Sequence, residues 1–240
     1  MGIAVARKSD NPELVNGYGE VEWLPGTDPL VRGYKCLLQK GYNVSPKTYS
    51  KKQVIYIFSS GTGYITTPEM AYNIQGLCFF LPNFEKEEYK IYATSDMEYM
   101  MVVVDMLDSD VAAIDNFHLK LPFFRTLDQC IPYLQNCKGP HTMSWSVIPS
   151  GDFARVLMGV VKGEGEGTDE KGHPSVDQWN YTLPGSDFDL TAGNETIHHT
   201  GEEWSRIPTG VDHKLIAKPG KLVYYVWFEH KTEEIPAGRH

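Results

Sequence analysis

The side chains best suited to chemistry collect in the second half of the 240-residue chain. Asp169, Glu170, Lys171, His173 and Gln178 follow one another closely, and His213 and His230 lie further on. Neutral imidazole, carboxylate and amide oxygen donors can all bind a divalent first-row ion. A protonated lysine cannot, because its ammonium has no lone pair to give. Lys171 could instead orient a substrate carboxylate or, with its pKa lowered by burial beside a cation, act as a base or form an imine. His230, in YYVWFEHK, falls at the end of the last strand-like run, where it could move a proton as a general acid or base. His198 and His199, in NETIHHTG, read as a turn between strands, and no histidine precedes His118.

Other chemistries find no support. The GEGEG run at 163–167 lacks both the strand-then-helix setting and the Lys-Ser/Thr of a phosphate loop. No G-x-S-x-G, H-E-x-x-H or paired-cysteine zinc signature is present. Cys36, Cys78, Cys130 and Cys137 have no metal-type spacing and read as reduced structural thiols.

These residues need elements to hold them, and the pattern is that of many short strands. Apolar and polar residues alternate over 53–58, 180–183 and 221–228, with Gly, Pro, Asn and Asp between the runs. This predicts an all-β sandwich or barrel. Trp179, Tyr181, Tyr225 and Trp227 alternate on such strands, so some of them are expected to wall a small-molecule pocket. One segment departs from the pattern: TLDQCIPYLQN, residues 126–136, begins with a capping Thr126 three residues before Gln129 and predicts a short helix, with Lys138-Gly139-Pro140 restarting the strands. The halves on either side repeat. QVIYIFSS and QWNYTLPG each follow a glycine-led lead-in, and each precedes a G…P segment, at Gly76 to Pro82 and at Gly201 to Pro208.

A net charge of -9, with Lys and Arg dispersed, gives no footprint for a phosphate backbone, so no nucleic-acid partner is expected. The longest apolar runs are strand-length, and MGIAVARKSD lacks the apolar stretch of a signal peptide, so no membrane partner and a soluble, cytoplasmic chain are expected.

The second half resembles a cupin. That family's first motif runs Gly, five residues, His-x-His, three or four residues, Glu or Gln, six residues, Gly; here Gly165, Lys171, His173, Gln178 and Gly185 stand at those places. Its second motif contains Pro-x-Gly-x-x-His, supplied by Pro208, Gly210 and His213. The resemblance implies two tandem jelly-roll-like antiparallel barrels, a bicupin, with residues 1–125 in the first and 126–240 holding the helical connector and the second. It implies a divalent metal ion, manganese, iron, nickel or zinc, on His173, Gln178 and His213. Lys171 stands where the family has its first His ligand, which leaves Glu170, or Asp169, as the fourth donor. In the first half the same register puts Lys47, Tyr49, Gln53 and Glu87 at the ligand places, so that barrel is expected to bind no metal.

The layout is similar to that of ureidoglycine aminohydrolase, a manganese bicupin, although its Glu, two His and Gln pattern is not reproduced in spacing. Such a likeness implies a Lewis-acid enzyme, an isomerase, lyase or aminohydrolase, acting on a small polar metabolite in the second barrel, with Lys171 and His230 as candidate catalytic groups. An iron-dependent dioxygenase and a non-catalytic sugar- or metabolite-binding cupin stand as alternatives. The resemblance also implies a homodimer.

Overall fold

The alternation read from the sequence becomes strand throughout the computed structural model, which describes residues 2–234. The chain divides into two compact units, one of residues 9–115 and 119–129, the other of residues 2–8, 116–118 and 130–234. Among the described residues the only α-helix is the five-residue Asp108–Ala112.

In the first unit a six-stranded antiparallel sheet runs in the order Phe123–Thr126, Cys78–Leu81, Lys52–Ser60, Met97–Asp105, Val31–Leu38 and Tyr18–Trp23. A four-stranded sheet, Asn43–Val44, Lys90–Ala93, Thr62–Thr66 and Ala71–Gln75, faces it. Side chains from both sheets meet in one buried cluster that includes Tyr56, Phe58, Phe80, Tyr89, Tyr99, Met101, Ile65 and Ile91. The space between these sheets is filled. Tyr56 and Tyr89 even satisfy each other's hydroxyls, 2.6 Å apart.

The second unit repeats the order. Its larger sheet runs Ala4–Ala6, Trp204–Ile207, Val176–Thr182, Leu222–Lys231, Val156–Glu164, Met143–Ile148 and Ile131–Tyr133; its smaller one runs Gly167–Glu170, His213–Ile216, Asp187–Ala192 and Glu195–Thr200. QVIYIFSS and QWNYTLPG therefore lie in strands at the same place in the two sheet orders.

The structure corrects three expectations. Neither sheet of either unit closes on itself, so each unit is a pair of facing sheets and not a closed barrel. Residues 126–136 do not form a helix: Thr126 ends a strand, Leu127–Gln129 make a single 3-10 turn, and Ile131–Tyr133 is an edge strand. Pro132 lacks the N–H a helix interior needs and is tolerated at a sheet edge. Finally, the first residues of the chain belong to the second unit, where Ala4–Ala6 pairs with Trp204–Ile207. Arg7 donates to the Glu203 carboxylate at 3.0–3.1 Å and to the His198 carbonyl at 2.9 Å, which fixes the arm.

Candidate functional site

Strand alternation decides which side chains face the space between the sheets of the second unit, because successive residues point to opposite faces. On Gly167–Glu170 the inward residues are Thr168, fully buried, and Glu170; Asp169 points out and pairs with Lys214 at 2.6 Å. His213 lies directly across the ladder from Glu170. Along Leu222–Lys231, Tyr225, Trp227 and Glu229 line one cavity, which leaves His230 on the other face.

That cavity, of about 290 Å³, is lined by Tyr133, Lys138, Glu170, Gln178, Trp227 and Glu229 among others, with His173 at its exposed rim. Three of the four expected ligands, Glu170, His173 and Gln178, thus line a single cavity, and the fourth, His213, stands with Nε2 3.7 Å from Glu170 Oε2. Nδ1 of His213 is 3.0 Å from the Val211 carbonyl oxygen. A carbonyl can only accept, so that nitrogen carries the proton and the other faces Glu170.

Charge is concentrated here. Burial opposes ionisation of Glu170, but the neighbouring His213 imidazole and the Lys138 ammonium, 3.3 Å from Oε1, outweigh it and hold the carboxyl down at about 2. Burial likewise disfavours the imidazolium of His213, yet Glu170 and the Val211 carbonyl raise its pKa overall. Glu229 goes the other way: burial, reinforced by the Glu170 charge against the pull of His173, pushes its carboxyl up. Burial also pushes the Tyr133 hydroxyl to about 12.

The donors fit a divalent ion in kind. Two ligands each about 2.1 Å from a shared ion lie at most about 4.2 Å apart, and the 3.7 Å between His213 Nε2 and Glu170 Oε2 is within that limit. It is too long for a hydrogen bond. A carbonyl holding the far nitrogen of the ring is the usual support of a metal-bound imidazole. Among the described residues no three His, Cys, Asp or Glu side chains converge on one point, so the Gln178 amide is needed beside this pair.

Two expected catalytic residues stand apart. The Lys171 side chain is 90% exposed and ion-paired with Asp212 at 2.7 Å, outside the cavity lining. His230 is buried on the opposite face of its strand. Two titratable residues that do line the cavity, Lys138 and Glu229, escaped the sequence reading. Glu229 had a signal, the period of two with Tyr225 and Trp227. Lys138 had none, since its position comes from an isolated bridge to Thr168 across 30 residues of chain.

Solved structures share the fold of this chain. A glyoxylate-induced protein of Pseudomonas aeruginosa superposes with a TM-score of 0.76 over 100% of this chain and 92% of its own at 10% identity. The fold is a cupin fold. Two oxalate decarboxylases share it: that of Lactobacillus farciminis, solved as a formate complex, at a TM-score of 0.72 and 12% identity over 96% of this chain and 87% of its own, and that of Bacillus subtilis, at 0.72 and 11% over 98% and 79%. No family model and no curated protein matches the sequence. At such identities the cupin likeness concerns architecture, and the chemistry has to be argued from this chain's own residues. Among the described residues no helix is long and apolar enough to cross a membrane.

Proposed function

We propose that the second unit is a metal-dependent cupin enzyme acting on a small polar metabolite, with His213 and Glu170 as the central ligand pair, the Gln178 amide as the further donor, and His173, at the exposed rim, outside the set. The observation that carries this reading is the buried imidazole of His213, fixed by Val211 and aimed at an ionised carboxylate at ligand-sharing distance. The solved Bacillus subtilis neighbour is described as having Mn(II) centers, which makes manganese the first ion to test.

When bound, the ion supplies a Lewis acid that polarises a carbonyl, carboxylate or imine oxygen. Lys138 uses one of its three donors on Glu170 and offers the others to an anionic group of the substrate. Glu229, pushed toward its protonated form by burial, is placed to hold a proton and hand it to a molecule in the cavity. Tyr133, Tyr225 and Trp227 wall the cavity and keep bulk water from the reacting atoms. Proton transfer beside a polarised oxygen serves isomerisation, elimination and hydrolytic deamination alike.

A second reading, a non-catalytic metabolite-binding module, draws on the Lys138 ammonium, which already neutralises Glu170. Elemental analysis of the purified chain before and after reconstitution with manganese, iron, nickel and zinc separates the two. Stoichiometric metal retained through gel filtration supports the enzyme; a chain that retains none of the four overturns it. Iron together with oxygen uptake would turn the reading toward a dioxygenase. A homodimer remains part of the proposal, and light scattering in solution tests it.

A further inference from the structure

In the first unit Lys47, Tyr49, Gln53 and Glu87, which the cupin register puts at the ligand places, all line one recess. It lies at the edge of the packed aromatic cluster, whose Tyr89 forms one of its walls. Its volume is about 20 Å³, room for one water or one ammonium group. Gln53 opens QVIYIFSS as Gln178 opens QWNYTLPG, so the two glutamines hold matching places in the two units.

The side chain of Gln53 is buried. Its amide nitrogen donates to the Val54 carbonyl at 2.9 Å and to the Pro82 carbonyl at 3.4 Å; carbonyls only accept, so these contacts fix which end of the amide is the nitrogen. The amide oxygen has no hydrogen-bond partner. A buried acceptor without a donor is rare in a folded protein and calls for one.

Four charged residues line the recess, and two of them are already engaged. Lys52 is paired with Asp105 at 3.0 Å, and Glu85 accepts from the Lys51 backbone N–H. Lys47, whose ammonium lies 5.7 Å from the centre of the Tyr49 ring, and Glu87 are the other pair of opposite charges. With an ammonium and no imidazole at these places, the recess does not suit the first-row ion argued for the second unit. A wider cleft of about 530 Å³ shares Lys47, Thr48 and Tyr89 with the recess, which makes the recess the inner end of a larger opening.

We infer that recess and cleft together form a second small-molecule site, which takes a short amino acid. Its ammonium enters the recess, donates to the Gln53 amide oxygen and pairs with Glu87, while its carboxylate meets Lys47 in the cleft. An ammonium brings three donors to an acceptor that lacks one, and it has the size the recess admits. A molecule with opposite charges at its ends pairs both Lys47 and Glu87, whereas a simple amine or a simple acid pairs only one. The site lies wholly within the first unit, so the inference is independent of the metal reading of the second.

Calorimetric titration of the chelator-treated full chain tests it. The probes are glycine, β-alanine and γ-aminobutyrate, which hold the two charges at increasing separation, with acetate, propionate and butyrate as their amine-free counterparts. At least one amino acid is expected to bind saturably, about tenfold or more tighter than its counterpart. Glu87→Gln and Lys47→Met, at positions open enough to solvent to leave the fold intact, each weaken that binding by about tenfold or more. Gln53→Leu, with its thermal midpoint checked, removes the preference for the amine. No saturable binding of any of the three, equal binding of the amine-free acids, or an affinity unmoved in both Glu87→Gln and Lys47→Met would overturn the inference. Binding that is lost in Glu170→Gln but kept in Glu87→Gln and Lys47→Met would place the amino acid in the second unit and overturn it equally.

Discussion

Trp227 lies against Gly159: a β-carbon at position 159 would stand 2.4 Å from the indole Cζ2 and 2.6 Å from the Trp145 carbonyl oxygen. The two residues pair directly across the ladder, so the missing side chain of one makes room for the ring of the other. The cavity owes part of its floor to this vacancy of a single methyl group.

Gly159→Ala is expected to cost about 1–3 kcal/mol, the usual range for overpacking a filled interior, and to move the Trp227 ring. Urea denaturation measures the first effect. A change in ligand affinity, measured by titration, registers the second. Wild-type stability with wild-type affinity would show that the ring is not held as described.

Ligand assignment makes a selective prediction. His213→Ala and Glu170→Gln should lower metal affinity by more than the roughly 10–100-fold that loss of an outer-sphere partner costs, while circular dichroism stays that of the folded chain. Lys171→Ala should change nothing measurable, because Lys171 is exposed and paired with Asp212 away from the cavity. Equal effects in all three would remove the distinction between ligand and bystander.

Metal loading should saturate at one ion per chain. The interior of the first unit is occupied by Tyr56, Phe58, Phe80 and Tyr99, and Tyr56 is bonded to Tyr89. Manganese titration followed by paramagnetic resonance counts the sites. A second tight site would contradict the packing.

The N-terminal arm gives a prediction in pH. Burial works against ionisation of Glu203, but its hydrogen bonds from His199 and Arg7 prevail and lower its pKa below the ordinary 4.5. A depressed folded pKa contributes stability that is fully present above the unfolded value and is lost as pH falls through the folded one. Stability should therefore drop below about pH 4.5, and Glu203→Gln should flatten that part of the profile and cost about 1–3 kcal/mol at neutral pH, since it leaves Arg7 and His199 without their charged partner. Denaturation midpoints between pH 3 and 7 check both; an unchanged acid limb would show that Glu203 does not carry it.

Much of this was legible in the sequence for local reasons. Alternation in residues 53–58 and 221–228 marked strands, glycine and proline spacings repeated between the halves marked the order of the sheets, and the motif of the second half picked out Glu170, His173 and Gln178, which line one cavity, and His213, which faces Glu170. The helix expected over 126–136 failed because a capping pattern is a local preference, and edge pairing of Ile131–Tyr133 with Met143–Ile148 overrode it. His230 drew attention by residue type, whereas position on the strand favours Glu229. Lys138 and the arm at Ala4–Ala6 were hidden because both are set by pairings between segments far apart in the chain.

The most direct measurement is anomalous scattering from crystals of the manganese-loaded protein, recorded on both sides of the manganese edge. One peak per chain is expected, bonded to His213 Nε2 and a Glu170 carboxylate oxygen at about 2.0–2.2 Å. No peak, or a peak elsewhere with His213 and Glu170 still facing each other across an empty 3.7 Å, would contradict the assignment of this pair as metal ligands.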